Sequence, residues 1–112
     1  MKIAIPTANG TLCPHFGHCE SFALLEVDKQ NKAVLKRDDL VPPPHEPGLL
    51  PRWLQERGVT MVIAGGMGHR AQEFFTQMGI EVLVGAPSQD PEDLARSWMD
   101  GTLALGGNVC DH

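Results

Sequence analysis

One stretch constrains the fold of this chain more than any other. Residues Val59 to Phe75 read Val-Thr-Met-Val-Ile-Ala-Gly-Gly-Met-Gly-His-Arg-Ala-Gln-Glu-Phe-Phe. The short apolar run at its start predicts a strand covered on both faces. Gly65, Gly66 and Gly68 predict a turn, and a helix is expected from His69, because Ala71, Phe74, Phe75 and Met78 recur at helical spacing. A strand that feeds a helix through glycines offers backbone N–H groups at the positive end of the helix dipole, where an anion can sit. The same glycines would also serve a turn with no ligand, and their spacing matches neither the dinucleotide fingerprint nor the P-loop.

The elements on either side fix the fold class. Lys2 to Pro6 reads as a first strand, Ser21 to Val27 as a second and Lys32 to Leu40 as a third, the last charged enough to belong near a sheet edge. Asp28 to Asn31 is a hairpin turn by composition, and the prolines of residues 42–48 make that segment a loop. A helix is expected from Leu49 to Arg57, with Pro51 in its first turn, Leu50, Trp53 and Leu54 as its buried stripe, and Gly58 as its stop. Ile80 to Val84 reads as a fifth strand. Asp90-Pro91-Glu92-Asp93 opens a last helix that buries Leu94, Ala95, Trp98 and Met99. The expectation is an α/β domain spanning residues 1–112, with a mixed five-stranded sheet flanked by helices. Three strands form an antiparallel meander, and two parallel strands join it through crossovers. The loops 7–20, 41–48, 65–68 and 85–89 then meet at one sheet edge, outside the carboxyl ends of the strands, where open α/β sheets bind ligands.

Charge and composition narrow the function. A net charge of −5 without a Lys/Arg cluster argues against nucleic acid. There is no membrane-length apolar run and no signal-like N-terminus, so the cytoplasm is the expected location. The three cysteines, an odd number, favour free thiols or metal ligands over a disulfide framework.

The first loop carries the densest chemistry, Cys13-Pro-His15-Phe-Gly-His18-Cys19. Thiolate and imidazole donors suit copper, iron or a metal–sulfur cluster better than magnesium or calcium. One zinc taking all four of Cys13, His15, His18 and Cys19 is disfavoured, because His18 and Cys19 are adjacent and the usual paired spacing is absent. Two or three of them, joined by His45 or by Cys110 and His112 of the tail, fit more easily. Equally, Cys13 and Cys19 can be small buried residues with Phe16 as a core plug. His69 and Arg70 open the central helix, where they can pair with an anion or simply face solvent. Catalytic signatures are sparse: no nucleophile elbow, no Walker lysine and no acid on the first strand. A Cys–His nucleophile pair, Cys13 with His15 or Cys19 with His45, stays open.

At these residues the chain resembles a known family. Lys2-Ile-Ala-Ile-Pro6, Pro14-His-Phe-Gly17 followed by Phe22, Val62-Ile-Ala-Gly-Gly-Met-Gly68 and the segment Phe75 to Val82 are similar, in that order, to the dinitrogenase iron–molybdenum cofactor biosynthesis family. The family includes cluster carriers of nitrogen fixation, small stand-alone proteins and the orange protein of sulfate reducers. The resemblance implies a ribonuclease H-like fold without nuclease activity. It also implies a non-enzymatic role in binding or carrying an anionic metal–sulfur cluster, either an iron–molybdenum precursor or a molybdenum–copper sulfide, with a protein that donates or accepts it. The family histidine maps onto His15, flanked by Phe16 and Gly17, and its turn onto Gly65, Gly66, Met67 and Gly68. Cys13, His18 and Cys19 fall outside the carried-over pattern, so their role rests on donor chemistry alone. A metal-free protein–protein or regulatory module using the same edge is the alternative reading.

Overall fold

The computed structural model describes residues 1–14, 16, 19–43 and 48–106. Its strands are β1 (Lys2–Ala8), β2 (Thr11–Leu12), β3 (Ser21–Asp28), β4 (Ala33–Leu40), β5 (Met61–Ile63) and β6 (Glu81–Leu83). The helices are α1 (Leu49–Glu56), α2 (His69–Gln77) and α3 (Pro91–Asp100). The sheet runs in the order β4-β3-β1-β5-β6, with β2 paired to β1 off this path. β1, β3 and β4 form the antiparallel meander, and β5 and β6 extend it in parallel. The charged strand β4 lies at the edge, as its composition predicts.

Among the described residues the sheet has six strands, where the sequence predicts five. The extra one is β2, two residues long and antiparallel to the end of β1 through Thr7↔Leu12 and Ala8↔Thr11. Its signal is Asn9-Gly10, both at positive φ (56° and 84°), the backbone that a two-residue hairpin requires. β1 also continues past Pro6, where the sequence reading stops it. A strand residue points its N–H and C=O to the same side, and the Pro6 carbonyl accepts from the Cys13 N–H at 2.9 Å on the β2 side. Pairing with β5 has already ended at Ala4, so the proline's missing donor breaks no ladder there.

Alternation along β1 and β5 divides the core between the two sheet faces. Ala4 and Val62 face α1 and α2, packing with Phe22, Leu24, Leu54, Phe75 and Ile80. Ile3, Ile5, Met61 and Ile63 face α3, packing with Leu25, Leu94 and Ala95. Burial on each helix is narrower than periodicity suggests. Leu54 of α1 and Phe75 of α2 are fully covered, whereas Leu50, Trp53, Ala71 and Met78 only rim the cluster. Trp98 and Met99 do the same for α3. No helix among the described residues is long and apolar enough to cross a membrane.

Phe75 is the anchor that fixes α2 to the sheet. Phe75→Ala should cost about 3–5 kcal/mol of unfolding free energy, measured by urea denaturation. A loss below about 1 kcal/mol would mean that α2 is held by other contacts.

Candidate functional site

β1, β4, β5 and β6 run in one direction, so their carboxyl ends share an edge, where the first loop bonds to the glycine turn and, through the Leu12 N–H to the Gln89 carbonyl, to the segment after β6. Residues 44–47 of the segment after β4 lie outside the described residues. Two backbone bonds join the first loop to the glycine turn. Gly66 N–H donates to the Pro14 carbonyl at 2.8 Å, and Phe16 N–H donates to the Gly66 carbonyl at 2.9 Å. A Cβ on Gly65 would stand 3.0 Å from the Pro14 oxygen and 3.2 Å from its Cα, so glycine there permits the close approach. His15 itself lies outside the described residues, but both of its neighbours are pinned by Gly66.

This pairing changes the roles of several residues. The Gly66 N–H is expected from the sequence to be free for an anion; instead it holds the loop. Phe16 is 8% exposed and meets Phe22 and Phe75 edge-on, at ring-centroid distances of 6.0 and 5.7 Å. It is the core plug. Met67 is fully buried in the same cluster, and its carbonyl accepts from Gln72 Nε2 at 2.8 Å. The side chains of Phe16 and Met67 therefore act by packing the floor of the edge.

Gly68 is the N-cap of α2, in extended conformation and without a side-chain cap bond, and a Cβ there would meet nothing within 4 Å. His69 and Arg70 follow, both exposed. The first turn of α2 carries no acid, and neither does that of α1, which is capped by Gly48. The contrast with α3 is informative. Asp90 caps it by accepting from the Glu92 N–H at 3.1 Å, Glu92 and Asp93 fill its first turn, and Arg37 of β4 lies 3.7 Å from Asp90 and 3.9 Å from Glu92. α3 thus complements its own dipole, whereas α1 and α2 leave their positive ends to be met from outside.

Of the thiols in the first loop, Cys13 is buried at 3% exposure and Cys19 is half-buried against the α1/α2 cluster. Burial pushes the Cys19 thiol up to about 11; Cys13 adds to the rise and a backbone hydrogen bond opposes it. Cys19 is therefore a neutral thiol at pH 7 and gives no resting nucleophile. Among the described residues no three of His, Cys, Asp and Glu come together as a metal site. Gly17, His18 and His45 lie outside those residues, as do Cys110 and His112.

The C-terminal segment meets the same edge. The Gly85 N–H donates to the Gly65 carbonyl at 2.6 Å, and the Gly106 N–H donates to the Gly85 carbonyl at 2.7 Å. The sequence reads Thr102 to His112 as a glycine-containing tail with room for a short strand or turn, and of this segment Gly106 lies against Gly85.

The raised Cys19 value sets a pH dependence. An unfolded thiol ionises near 9.0, while the folded one holds its proton to about 11, so the unfolded state gains first as pH rises. This contribution is intact below pH 9 and is lost between 9 and 11. Stability of the metal-free protein should fall over that range more steeply than that of Cys19→Ser. Parallel curves in denaturant titrations would contradict the assignment.

The profile of the family described as dinitrogenase iron-molybdenum cofactor matches residues 1–101. An uncharacterized protein of Methanocaldococcus jannaschii is 35% identical over 110 residues, spanning 92% of this chain and 89% of that one. The crystal structure of PH0822 superposes with a TM-score of 0.84 at 27% identity, covering 94% of each chain. The apo form of the orange protein from Desulfovibrio gigas shares the fold, with a TM-score of 0.70 at 19% identity, covering 96% of this chain and 93% of that one. With the fold, the paired loops and the matched profile in agreement, the chain belongs to the dinitrogenase iron–molybdenum cofactor family, which links it to the biosynthesis or binding of that cofactor.

Proposed function

We propose that this protein is a non-enzymatic carrier or scaffold for an anionic metal–sulfur cluster, of iron–molybdenum or molybdenum–copper sulfide type, working in the cytoplasm with a protein that donates or accepts it. The observation that carries this reading is the union of the first loop with the glycine turn, beside a helix start that has no acid of its own. The cargo would sit over Gly65 and Gly68, with the dipole of α2, His69 and Arg70 balancing its charge. His15 and a thiolate of Cys13 or Cys19 would supply direct ligands, His18 and His45 being further candidates. A soft donor set of this kind fits iron, copper and molybdenum sulfides. The neutral Cys19 thiol favours carriage over thiol catalysis, since a metal can displace its proton on binding. The meander followed by two parallel crossovers supports the ribonuclease H-like assignment.

The test is anaerobic titration of the metal-free protein with tetrathiomolybdate and copper(I), and separately with iron(II) and sulfide, reading visible absorption and metal content after desalting. A coloured complex of fixed stoichiometry is expected, and His15→Ala should lose it. Gly68→Asp makes the electrostatic part specific. Aspartate is at least as good an N-cap as glycine and has room, so stability should hold or rise by a few tenths of a kcal/mol, while cluster uptake falls. A protein that retains nothing from either reagent set would favour the interaction-module reading. Undiminished uptake by Gly68→Asp would remove the α2 terminus from the site.

A further inference from the structure

β4 ends the strand order, so among the described residues its outer side has no strand beside it. The ladders fix which of its residues face that side. On β3, the Val27 N–H donates to the Met1 carbonyl at 2.8 Å, and the Met1 amino group donates to the Val27 carbonyl at 3.4 Å. Alternation then turns Phe22, Leu24 and Glu26 toward β4, where they meet Leu40, Asp38 and Lys36. Arg37 and Asp39 lie between these positions, so their backbone N–H and C=O groups point outward. A register shift at Glu26/Val27 leaves Leu35 without a register partner on β3. Leu35 and Val41 are 62% and 79% exposed, the most of any large apolar side chains among the described residues.

Charges on a free strand edge ordinarily oppose pairing. Here their order makes the strand complementary to itself. The segment reads Val34-Leu35-Lys36-Arg37-Asp38-Asp39-Leu40-Val41. Two copies related by a two-fold axis at Asp38 run antiparallel, with Arg37 of each opposite Asp39 of the other and Leu35 opposite Val41. Arg37 and Asp39 both face outward, so each such couple can exchange two backbone hydrogen bonds besides matching charge. The axis sets one Asp38 against the other. Lys36, 3.6 Å from Asp38 in its own strand, lies diagonal to Asp38 of the second copy and offsets that repulsion. A shift of two residues either way would oppose Arg37 to Arg37 or Asp39 to Asp39, and a shift of one would oppose residues of different sheet faces. Pro42 and Pro43, lacking N–H donors, end the ladder after Val41.

We infer that β4 is the interface of a homodimer, in which a second copy of this chain adds its own β4 antiparallel to the first and joins the two sheets into one. The occupant is a second copy because the edge carries both halves of the charge pattern it would bind. Backbone bonds and the Arg37–Asp39 couples set the register, and removal of Leu35 and Val41 from water supplies the apolar gain. The two β4 strands point in opposite directions, so the carboxyl edges of the two copies lie at opposite ends of the joint sheet and both stay open. The dimer does not rest on the cluster-carrier reading, since no residue assigned to the cargo takes part in the pairing.

Sedimentation equilibrium of the metal-free protein, from micromolar to millimolar chain, tests the pairing. The wild-type mass should rise with concentration toward twice that of one chain. Val41→Asp changes a side chain that is 79% exposed, and it should raise the dissociation constant about tenfold by placing a charge opposite Leu35 of the second copy. Arg37→Asp and Asp39→Arg should each stay monomeric alone and pair when mixed in equal amounts, one chain then carrying acids at both positions and the other arginines at both. A fold defect would not be repaired by mixing. A wild type that stays monomeric at every concentration would overturn the dimer. So would Val41→Asp dimerising as tightly as wild type, or a mixture that stays monomeric although circular dichroism shows both variants folded. Arg37 also lies 3.7 Å from Asp90 and 3.9 Å from Glu92, so if Arg37→Asp does not fold, the Val41→Asp result decides.

Discussion

The site depends on one backbone contact, the double hydrogen bond between Gly66 and the Pro14–Phe16 segment. It exists because Gly65 carries no Cβ where the Pro14 carbonyl arrives, and because β2 returns the chain antiparallel along the end of β1. Without it the first loop would keep β2 but lose its hold on the glycine turn. With it, Pro14 and Phe16 are both held to Gly66, and Phe16 packs against Phe22 and Phe75. The glycines thus organise the loop first, and the ligand chemistry is built on that frame.

Helix termini divide the electrostatic work at the same edge. All three helices begin where the parallel strands end, so three positive dipole ends gather there. α3 is neutralised from within by its Asp90 cap and its first-turn acids, and Arg37 ties that cluster to the edge strand. α1 and α2 start with glycine caps and no acid. A chain with a net charge of −5 therefore keeps two positive helix ends on one side of its sheet, where the proposed anionic cargo would find favourable electrostatics without a basic patch.

Much of this architecture was legible from residue patterns. Apolar alternation placed the meander, Asp90-Pro91 announced α3 and the charges of β4 marked the edge, because each is a local signal with one physical cause. Other features depended on contacts distant in sequence. β2 is too short for periodicity to reveal, although Asn9-Gly10 is a recognisable hairpin turn. The packing roles of Phe16 and Met67 arise only when the first loop folds onto α2 and β5. Nor does any pattern in Gly85 or Gly106 announce that the tail lies against the sheet; their closeness appears only when the two backbones meet.

The central claim is that the protein carries a metal–sulfur cluster in the cell. Anaerobic purification of the protein from its native cells, followed by metal and sulfide analysis and a visible spectrum, tests it most directly. The account predicts a coloured protein with molybdenum, and iron or copper with sulfide, in fixed ratio to polypeptide. A colourless protein free of metal and sulfide, from cells well supplied with all of these elements, would contradict it.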